Sequence, residues 1–260
     1  MIHRQVTPVW GANNSGQGMA TTILITRPEP AASGFAEKLR NRLGGDARIV
    51  ISPILRIEHL PVSLDNIAAG DTLILTSAQA LPALTGKAKG QTCYCVGPAT
   101  TDAAKRAGLT AIDTGGTAEH LARRLLADRP SGNLLYLRGE HVASDLAKIL
   151  SEAGIETEER VVYRQLPQAL DPTALSLLEG RNPLVIPLFS PRSARLFLEA
   201  APGPAPLHIA AISRNTAETV PAGRAASIHI AETPTAEAML DLIEDLASGP
   251  NRVESGNTAK

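Results

Sequence analysis

Side chains that bind anions follow short apolar runs at several places along this sequence. The set consists of hydroxyl groups, arginines and residues that begin helices, and it lacks acids, histidines and thiols: Arg27, Thr76, Ser77, Gly97, Thr100, Arg138, Gly139, Ser190, Pro191, Ser213, Thr216 and Thr235. The backbone N–H groups at helix starts and the forked donors of arginine both favour negatively charged oxygens. The pattern therefore predicts a site for an anion that carries several carboxylates.

A structural explanation competes with this interpretation, since serine and threonine at a helix start are ordinary N-caps. For any one of these hydroxyl groups alone the N-cap is the favoured explanation. Only their recurrence in both halves of the chain makes anion binding an equally good one. Gly97 is just as well explained by a tight turn, because glycine tolerates positive φ.

Tyr163 is the one plausible general acid in the sequence. Its phenol can donate a proton and is neutral near pH 7, although a tyrosine merely packed in a hinge is the alternative. Glycine fingerprints of phosphate and dinucleotide sites, Gly-x-Ser-x-Gly and His-Glu-x-x-His are absent from the sequence. The only cysteines, Cys93 and Cys95, have no neighbouring Cys/His cluster. We therefore predict reduced structural thiols and no metal site.

The elements that must position these residues occur twice along the chain. Three blocks, each an apolar run that ends in Ser, Thr, Arg or Gly, return in the same order 111 to 116 residues later: 23–27 as 134–138, 73–77 as 186–190, and 96–100 as 212–216. Because both order and spacing match, the blocks indicate an internal duplication. Two similar α/β units would bring matching strand-end loops to a shared site.

Short strands that alternate with helices indicate parallel sheets with helices on both faces. Two exposed extended segments interrupt this alternation, and pairing them antiparallel would make a hinge. The predicted fold is α/β, with two similar parallel-sheet domains of the flavodoxin type joined by a two-stranded antiparallel ribbon. The predicted ranges are a disordered leader at 1–20, a discontinuous first domain of 21–52 plus 168–247, the ribbon of 53–60 plus 160–167, a second domain at 61–159, and a disordered tail at 248–260.

Composition excludes several classes of protein. A hydrophobic share of 43% with a mean hydropathy of −0.01 describes a soluble globular chain. The net charge of −1, with both signs interspersed, offers no surface for nucleic acid or an anionic membrane. No apolar run reaches the ~18 residues of a membrane span, and the first 20 residues lack the apolar core of a signal peptide. We predict a cytoplasmic protein, and nothing in the sequence demands more than a monomer.

The same motifs resemble the uroporphyrinogen-III synthase family over nearly all of residues 22–247. The residues that carry the resemblance are Ile25-Thr26-Arg27-Pro28, Leu75-Thr76-Ser77-Ala78, Val96-Gly97-Pro98-Ala99-Thr100, Val162-Tyr163, Phe189-Ser190-Pro191, Ile212-Ser213-Arg214-Asn215-Thr216-Ala217 and Pro234-Thr235. Each motif is short, and their order and spacing together make the match. The resemblance implies two α/β domains joined by a two-stranded ribbon, in agreement with the organisation predicted above.

The resemblance also implies a reaction. Hydroxymethylbilane, a linear tetrapyrrole with acetate and propionate groups on every pyrrole, would be cyclised to uroporphyrinogen III with inversion of ring D and loss of water through a spiro intermediate. It implies no metal or cofactor, and the substrate would be handed over by hydroxymethylbilane synthase. By motif position, Tyr163 would assist the departure of hydroxide. The matching contacts with the substrate would come from Ser77, Thr100, Ser190 and Thr216, while Arg27 and Arg138 are assigned to carboxylates from the repeat.

Two other functions stay open at the level of sequence. A two-lobed binding protein for a small polycarboxylate would share the two α/β lobes and the hinge, although the chain shows no export signal. An inactive relative that retains the fold would bind the bilane without turning it over. Ser213 and Gln79 stand where many relatives have Gly and Asn, which puts contact details rather than the activity in doubt.

Overall fold

The structure, a computed structural model, describes residues 21–142 and 145–248. The predicted leader at 1–20 and the predicted tail beyond residue 248 lie outside the described residues. The described chain divides into two compact units: unit 1 comprises residues 21–56 and 167–248, and unit 2 comprises residues 57–142 and 145–166. The chain therefore passes from one unit to the other twice, after residue 56 and after residue 166.

Strands and helices alternate along the described residues. The strands are β1 (Thr21–Ile25), β2 (Ala47–Ile51), β3 (Leu55–His59), β4 (Thr72–Leu75), β5 (Thr92–Cys95), β6 (Thr110–Asp113), β7 (Leu134–Gly139), β8 (Thr157–Pro167), β9 (Leu184–Leu188), β10 (Leu207–Ala211) and β11 (Ser227–Ile230). The helices are α1 (Ala31–Leu43), α2 (Pro98–Arg106), α3 (Ala118–Asp128), α4 (Leu146–Glu152), α5 (Pro172–Glu179), α6 (Pro191–Ala200), α7 (Arg214–Ala217) and α8 (Ala236–Ser248). Two 3₁₀ helices cover Gly44–Asp46 and Ala78–Leu84.

Unit 1 holds a parallel five-stranded sheet in the order β11-β10-β9-β1-β2. Both faces are covered, because alternate residues of β1 pack into different apolar clusters: Ile23 and Ile25 lie with α1 and α8, whereas Leu24 lies with α5 and α6. The central strand β9 is buried along its whole length, as expected for a parallel sheet covered on both sides. The pairing of β1 with β9 is short and covers Thr22 and Ile23 opposite residues 184 and 185. Pro187, further along β9, has no N–H to donate to a neighbouring strand.

Unit 2 holds a six-stranded sheet in the order β3-β8-β7-β4-β5-β6. The pairings from β6 to β8 are parallel. Strand β3 runs the other way: Leu60 N donates to Val162 O at 2.9 Å, and at the other end Gln168 N donates to Ile54 O at 3.0 Å. Partner numbers thus rise on one strand as they fall on the other, which defines an antiparallel pair.

Strand β8 takes part in two pairings, a parallel one with β7 and an antiparallel one with β3. It is one unbroken strand of 11 residues, and its first part pairs with β7 while its last part pairs with β3. No proline or glycine occurs between Thr157 and Leu166, so nothing in the sequence ends the strand. The corresponding connection in unit 1 is interrupted, since Pro53 lies between β2 and β3 and has no N–H to donate.

The two sheets repeat the same strand order, which confirms the α/β class and the duplication predicted from the three sequence blocks. Reading outward, β11-β10-β9-β1-β2 in unit 1 corresponds to β6-β5-β4-β7-β8 in unit 2. The repeated blocks lie at equivalent places: β1 matches β7, β9 matches β4, and the end of β10 matches the end of β5. Each block therefore contributes one copy to each unit.

Helix α5 was missed by the sequence analysis, although its start carries an ordinary signal. Asp171 is the N-cap, and its carboxylate accepts a hydrogen bond from Ala174 N at 2.8 Å. Pro172 occupies the first helical position, where its missing N–H costs nothing. An Asp-Pro pair before Ala174 and Leu178, which are both buried, would have predicted this helix.

A pair of histidines on the edge of the unit 1 sheet shares one serine. His208 Nδ1 lies 2.8 Å and His229 Nε2 lies 2.9 Å from Ser227 Oγ. Burial lowers the pKa of both imidazoles from the ordinary value of 6.5, and the neighbouring His229 lowers the pKa of His208 further. Both rings are thus neutral in the folded protein at neutral pH.

We expect this pair to make the protein less stable in acid. As pH falls through 6.5, histidines of the unfolded chain take up protons first, whereas the folded state resists protonation until its lower pKa values are passed. The free energy of unfolding should therefore fall over that range. Urea unfolding at pH 7.5 and pH 5.5 measures the change, and a His208→Gln/His229→Gln variant should show a smaller change than a variant of the exposed His59. Equal changes in both variants would contradict the assignment.

Candidate active site

Two adjacent hydroxyl residues directly follow strand β4 and contact two different tyrosines. Thr76 Oγ1 lies 3.2 Å from the hydroxyl of Tyr136 on β7. Ser77 caps the following 3₁₀ helix, where its Oγ accepts a hydrogen bond from Gln79 N at 3.3 Å. The Ser77 side chain also interacts with the phenol of Tyr163 on β8. Successive residues of an extended chain point to opposite sides, so the two hydroxyls serve one tyrosine on each face of the sheet.

Tyr163 lies at the carboxyl end of the unit 2 sheet with only 6% of its surface exposed. It faces Gly139 in the β7–β8 pairing, and its carbonyl accepts a hydrogen bond from Glu140 N at 2.9 Å. The ring packs with Leu137 and Val162 in an apolar cluster. Burial raises the pKa of the phenol above its usual value of 10, and the hydrogen bond with Ser77 opposes that change. The packed arrangement that was the alternative for this residue is therefore observed, and the phenol is held in its neutral form.

The loop after β5 presents Gly97 and Thr100 at the start of helix α2. Gly97 is the N-cap with φ −157°. The explanation of this glycine by a turn with positive φ is therefore wrong. The Gly97 carbonyl accepts hydrogen bonds from both the N–H and the hydroxyl of Thr101, each at 3.0 Å. Thr101, which makes these bonds, is buried, whereas Thr100 is partly exposed. Thr100 is thus the hydroxyl of this loop that a ligand can reach.

Arg138 is largely engaged by the protein itself. Its Nε donates to Glu159 Oε1 at 2.6 Å, and its Nη1 donates to the carbonyls of Gly139 at 3.1 Å and Glu140 at 3.4 Å. The guanidinium therefore neutralises one carboxylate and holds the chain where β7 ends. Within residues 21–142 and 145–248, Nη2 has no acceptor, so only this one group is left for a ligand.

Arg27 at the end of β1 in unit 1 has a different environment. Its guanidinium carbon lies 4.0 Å from the ring centre of Phe189 and 5.8 Å from that of Phe35, and the two rings meet edge to face at 4.9 Å. No carboxylate or hydrogen-bond acceptor contacts it among the residues that the structure describes. Burial lowers its pKa from 12.5 to about 10, so it remains charged at neutral pH. A desolvated cation of this kind favours an anion from outside the protein.

The remaining predicted residues of unit 1 are helix starts. Ser190 Oγ accepts from Ser193 N at 3.1 Å, Ser213 Oγ accepts from Thr216 N at 3.3 Å, and Thr235 Oγ1 accepts from Ala238 N at 3.2 Å. Pro191 is the first residue of α6. These hydroxyls are the N-caps that the structural explanation predicted. Thr216 is fully buried with its Oγ1 3.1 Å from Ser213 Oγ, so it supports Ser213 rather than facing solvent.

Comparison with known proteins identifies the family. A family model described as uroporphyrinogen-III synthase HemD matches residues 33–241. The chain belongs to the uroporphyrinogen-III synthase family. A search of curated proteins gives no match.

Solved structures of uroporphyrinogen-III synthases are similar to this chain. The enzyme from Helicobacter pylori shares the fold, with a TM-score of 0.60 at 18% identity, over 88% of this chain and 100% of that one. A mutant uroporphyrinogen III synthase from the extreme thermophile Thermus thermophilus is 18% identical, with a TM-score of 0.46 over 87% of this chain and 99% of that one.

Membership of the uroporphyrinogen-III synthase family confirms the expected activity. The protein is a cyclising lyase of tetrapyrrole biosynthesis, and a binding protein without turnover is not favoured. No helix in the described part of the chain is long and apolar enough to cross a membrane. Within the same residues, His, Cys, Asp and Glu side chains form no group of three or more that could hold a metal ion.

Three residues that contact the predicted ones were not expected from the sequence. Phe35 and Phe189 stack against Arg27, yet aromatic residues at apolar positions look like ordinary core. Tyr136 lies inside β7, 2% exposed, and only its hydrogen bond with Thr76 connects it to the strand ends. The repeat carried a usable signal for Tyr136, because a tyrosine stands in block 134–138 at the place where block 23–27 has the apolar Ile25.

Proposed function

We propose that Tyr163 is the general acid of this synthase and that strand-end groups of each unit bind carboxylates of hydroxymethylbilane. The observation that carries the proposal is the neutral phenol of Tyr163, held beside Ser77 at the carboxyl end of the unit 2 sheet. A phenol is a suitable acid here because it can hydrogen-bond to the leaving hydroxyl without carrying charge itself.

The proposed proton transfer balances within one turnover. The C–O bond of the hydroxymethyl group breaks, and the Tyr163 phenol gives its proton to the departing hydroxide, which leaves as water. The resonance-stabilised cation that remains is attacked by the substituted carbon of ring D, and the spiro intermediate then fragments and recloses at the free carbon of that ring. Reclosure releases a proton from this carbon, and that proton restores the phenol. The net change is the loss of one water.

Carboxylate binding is assigned to groups that have free donors. Arg27 offers a charged guanidinium without an acceptor among the described residues, and Thr100 offers a partly exposed hydroxyl above the α2 start. The other predicted residues stand at the strand ends of their own units, Thr76, Gly97 and Gly139 in unit 2 and Ser190, Ser213 and Thr235 in unit 1, whereas Pro191, which has no N–H, only begins α6. Arg138 contributes its Nη2 to a carboxylate, while Thr216 supports Ser213. Holding a flexible bilane at many points is what selects one ring closure over another.

We also infer that the enzyme acts as a cytoplasmic monomer that receives hydroxymethylbilane from hydroxymethylbilane synthase. Direct transfer would suit a substrate that closes spontaneously to the unflipped isomer. A cytoplasmic compartment keeps thiols reduced, which would suit Cys93 and Cys95, whose buried sulfurs lie 3.6 Å apart. Sedimentation of the purified chain, alone and mixed with that synthase, tests the monomer and the transfer complex.

Product analysis tests the proposed function directly. The purified protein is given fresh hydroxymethylbilane, the products are oxidised, and uroporphyrin isomers I and III are separated. We expect mostly isomer III, because only enzyme-controlled closure inverts ring D. Isomer I alone, which forms spontaneously, would refute the proposed catalysis of ring-D inversion.

A further inference from the structure

Gly139, the last residue of β7, lies directly against the ring of Tyr163. A β-carbon at position 139 would be 2.7 Å from both Cε2 and Cζ of that ring and 2.9 Å from its hydroxyl oxygen. Separations under 3.0 Å are essentially never seen for a real β-carbon. The Tyr163 ring can therefore occupy its present place only while residue 139 has no side chain.

Backbone conformation does not explain this glycine. Gly139 is outside the left-handed region of φ, so any residue could adopt its backbone. Among the described glycines, Gly132 and Gly203 would also bring a β-carbon closer than 3.0 Å to another atom, but they meet backbone atoms and have positive φ. Gly139 is the one of the three whose close neighbour is a side chain, and that side chain is the proposed acid.

Strand pairing and hydrogen bonds hold the backbone at both Gly139 and Tyr163. A register shift between Arg138 and Gly139 sets Gly139 opposite Tyr163, and Glu140 N is hydrogen-bonded to the Tyr163 carbonyl at 2.9 Å. Arg138 Nη1 also donates hydrogen bonds to the carbonyls of Gly139 and Glu140. A new atom at position 139 must therefore displace the ring, and with it the phenol from Ser77.

We propose that Gly139 is a positioning residue for catalysis: the missing side chain seats the Tyr163 ring against β7 so that its phenol stays beside Ser77. The proposal rests on the proposed function of Tyr163 as general acid. It changes the expected role of Gly139 from a contact with substrate to a determinant of where the acid stands.

The first test is Gly139→Ala. We expect kcat for isomer III to fall about tenfold with little change in KM, because displacing a catalytic group by about 1 Å is costly while carboxylate contacts elsewhere persist. Gly70→Ala is the matched control, since Gly70 lies in the same unit, has no positive φ and has open space where a β-carbon would stand. An unchanged kcat in folded Gly139→Ala would overturn the proposal.

A double variant separates positioning from a general structural effect. Phenylalanine at 163 keeps Cε2 and Cζ, so the clash and its cost in stability persist, but there is no phenol left to misplace. In the Tyr163→Phe background, Gly139→Ala should therefore cause no further loss of kcat. A second tenfold loss would show that Gly139 acts on the reaction by another route.

Two further variants keep the test decisive. If Gly139→Ala does not fold, Gly139→Ala/Tyr163→Leu should fold, because leucine removes the ring atoms that clash. Failure of both variants to fold would contradict the close contact.

The position of the Tyr163 ring against Gly139, here called its seat, can also be measured without turnover. The chain has three tyrosines, and in a Tyr94→Phe/Tyr136→Phe background only Tyr163 remains. Gly139→Ala should shift its ultraviolet titration, because both the burial of the phenol and its hydrogen bond with Ser77 change, and an unshifted titration would contradict the seat. If the titration shifts but Tyr163→Phe leaves kcat unchanged, Gly139 does position the ring, and the role of Tyr163 as general acid is refuted.

Discussion

Replacing Tyr163 with phenylalanine should lower kcat for uroporphyrinogen III about a hundredfold, the lower end of what a positioned general acid contributes. The ring atoms that pack against Leu137 and Gly139 are unchanged, and only the phenol oxygen beside Ser77 is lost. KM should change little, since carboxylate contacts do not involve this group. The measurement is the initial rate of isomer III formation, with isomer I followed separately as the spontaneous product.

Stability and pH dependence distinguish a chemical role from a packing role. Removing one partly satisfied hydroxyl should alter the free energy of unfolding by no more than about 1 kcal/mol. Burial raises the pKa of Tyr163 above 10, so the phenol keeps its proton through neutral and mildly alkaline pH. Wild-type kcat should then show no alkaline decline from this residue below pH 10.

Tyr94→Phe is the matched control for the Tyr163 variant. Tyr94 is 3% exposed, and its hydroxyl donates to Asp128 Oδ2 at 2.8 Å, so the substitution also removes a hydrogen bond from a buried ring. Full activity in Tyr94→Phe with a hundredfold loss in Tyr163→Phe is the expected result. Equal rates in both variants would remove Tyr163 from the reaction.

The fold was largely predictable because a repeat constrains topology. The blocks at 23–27 and 134–138 are both strands with the same neighbours in their sheets, β1 and β7. Matching motifs in matching order are expected of two sheets that share a strand order, and the two sheets do share one. Strand β8 was harder to predict, since where a strand changes partners depends on the register with β7 and β3, and periodicity does not encode it.

The sequence predicted which residues stand at the strand ends, but not which other residues they contact. Apolar runs that end in Ser, Thr or Arg predicted which residues stand at strand ends, and the structure puts Ser77, Ser190, Ser213 and Thr235 at helix starts. Whether each donor is free depends on residues far along the chain. Arg27 and Arg138 occupy equivalent places in the repeat, yet Arg138 pairs with Glu159 while Arg27 meets two phenylalanine rings.

That difference makes Arg27 the stronger carboxylate group, and Arg27→Met should lower kcat/KM about thirtyfold. A hydrogen bond between charged groups contributes about 1.5–3 kcal/mol, and most of the loss should appear in KM because the contact exists before and during the reaction. Stability should not fall with it. The lowered pKa of Arg27 records a desolvation cost for the charge, and methionine fills the space over Phe35 and Phe189 without that cost.

A variant that binds substrate more weakly but does not lose stability identifies a cation whose function is to bind the ligand. Arg40→Met is the control, because Arg40 is an exposed arginine in α1 of the same unit, and it should change neither kcat/KM nor the free energy of unfolding. Arg27→Lys should recover only part of the binding, since an ammonium lacks the planar fork and stacks poorly on Phe189. If Arg27→Met instead loses stability and keeps its KM, the guanidinium is a structural partner of the two rings. If Arg27→Met instead gains stability and loses affinity for the substrate, the function of the Arg27 guanidinium is to bind a substrate carboxylate, and not to stabilise the fold.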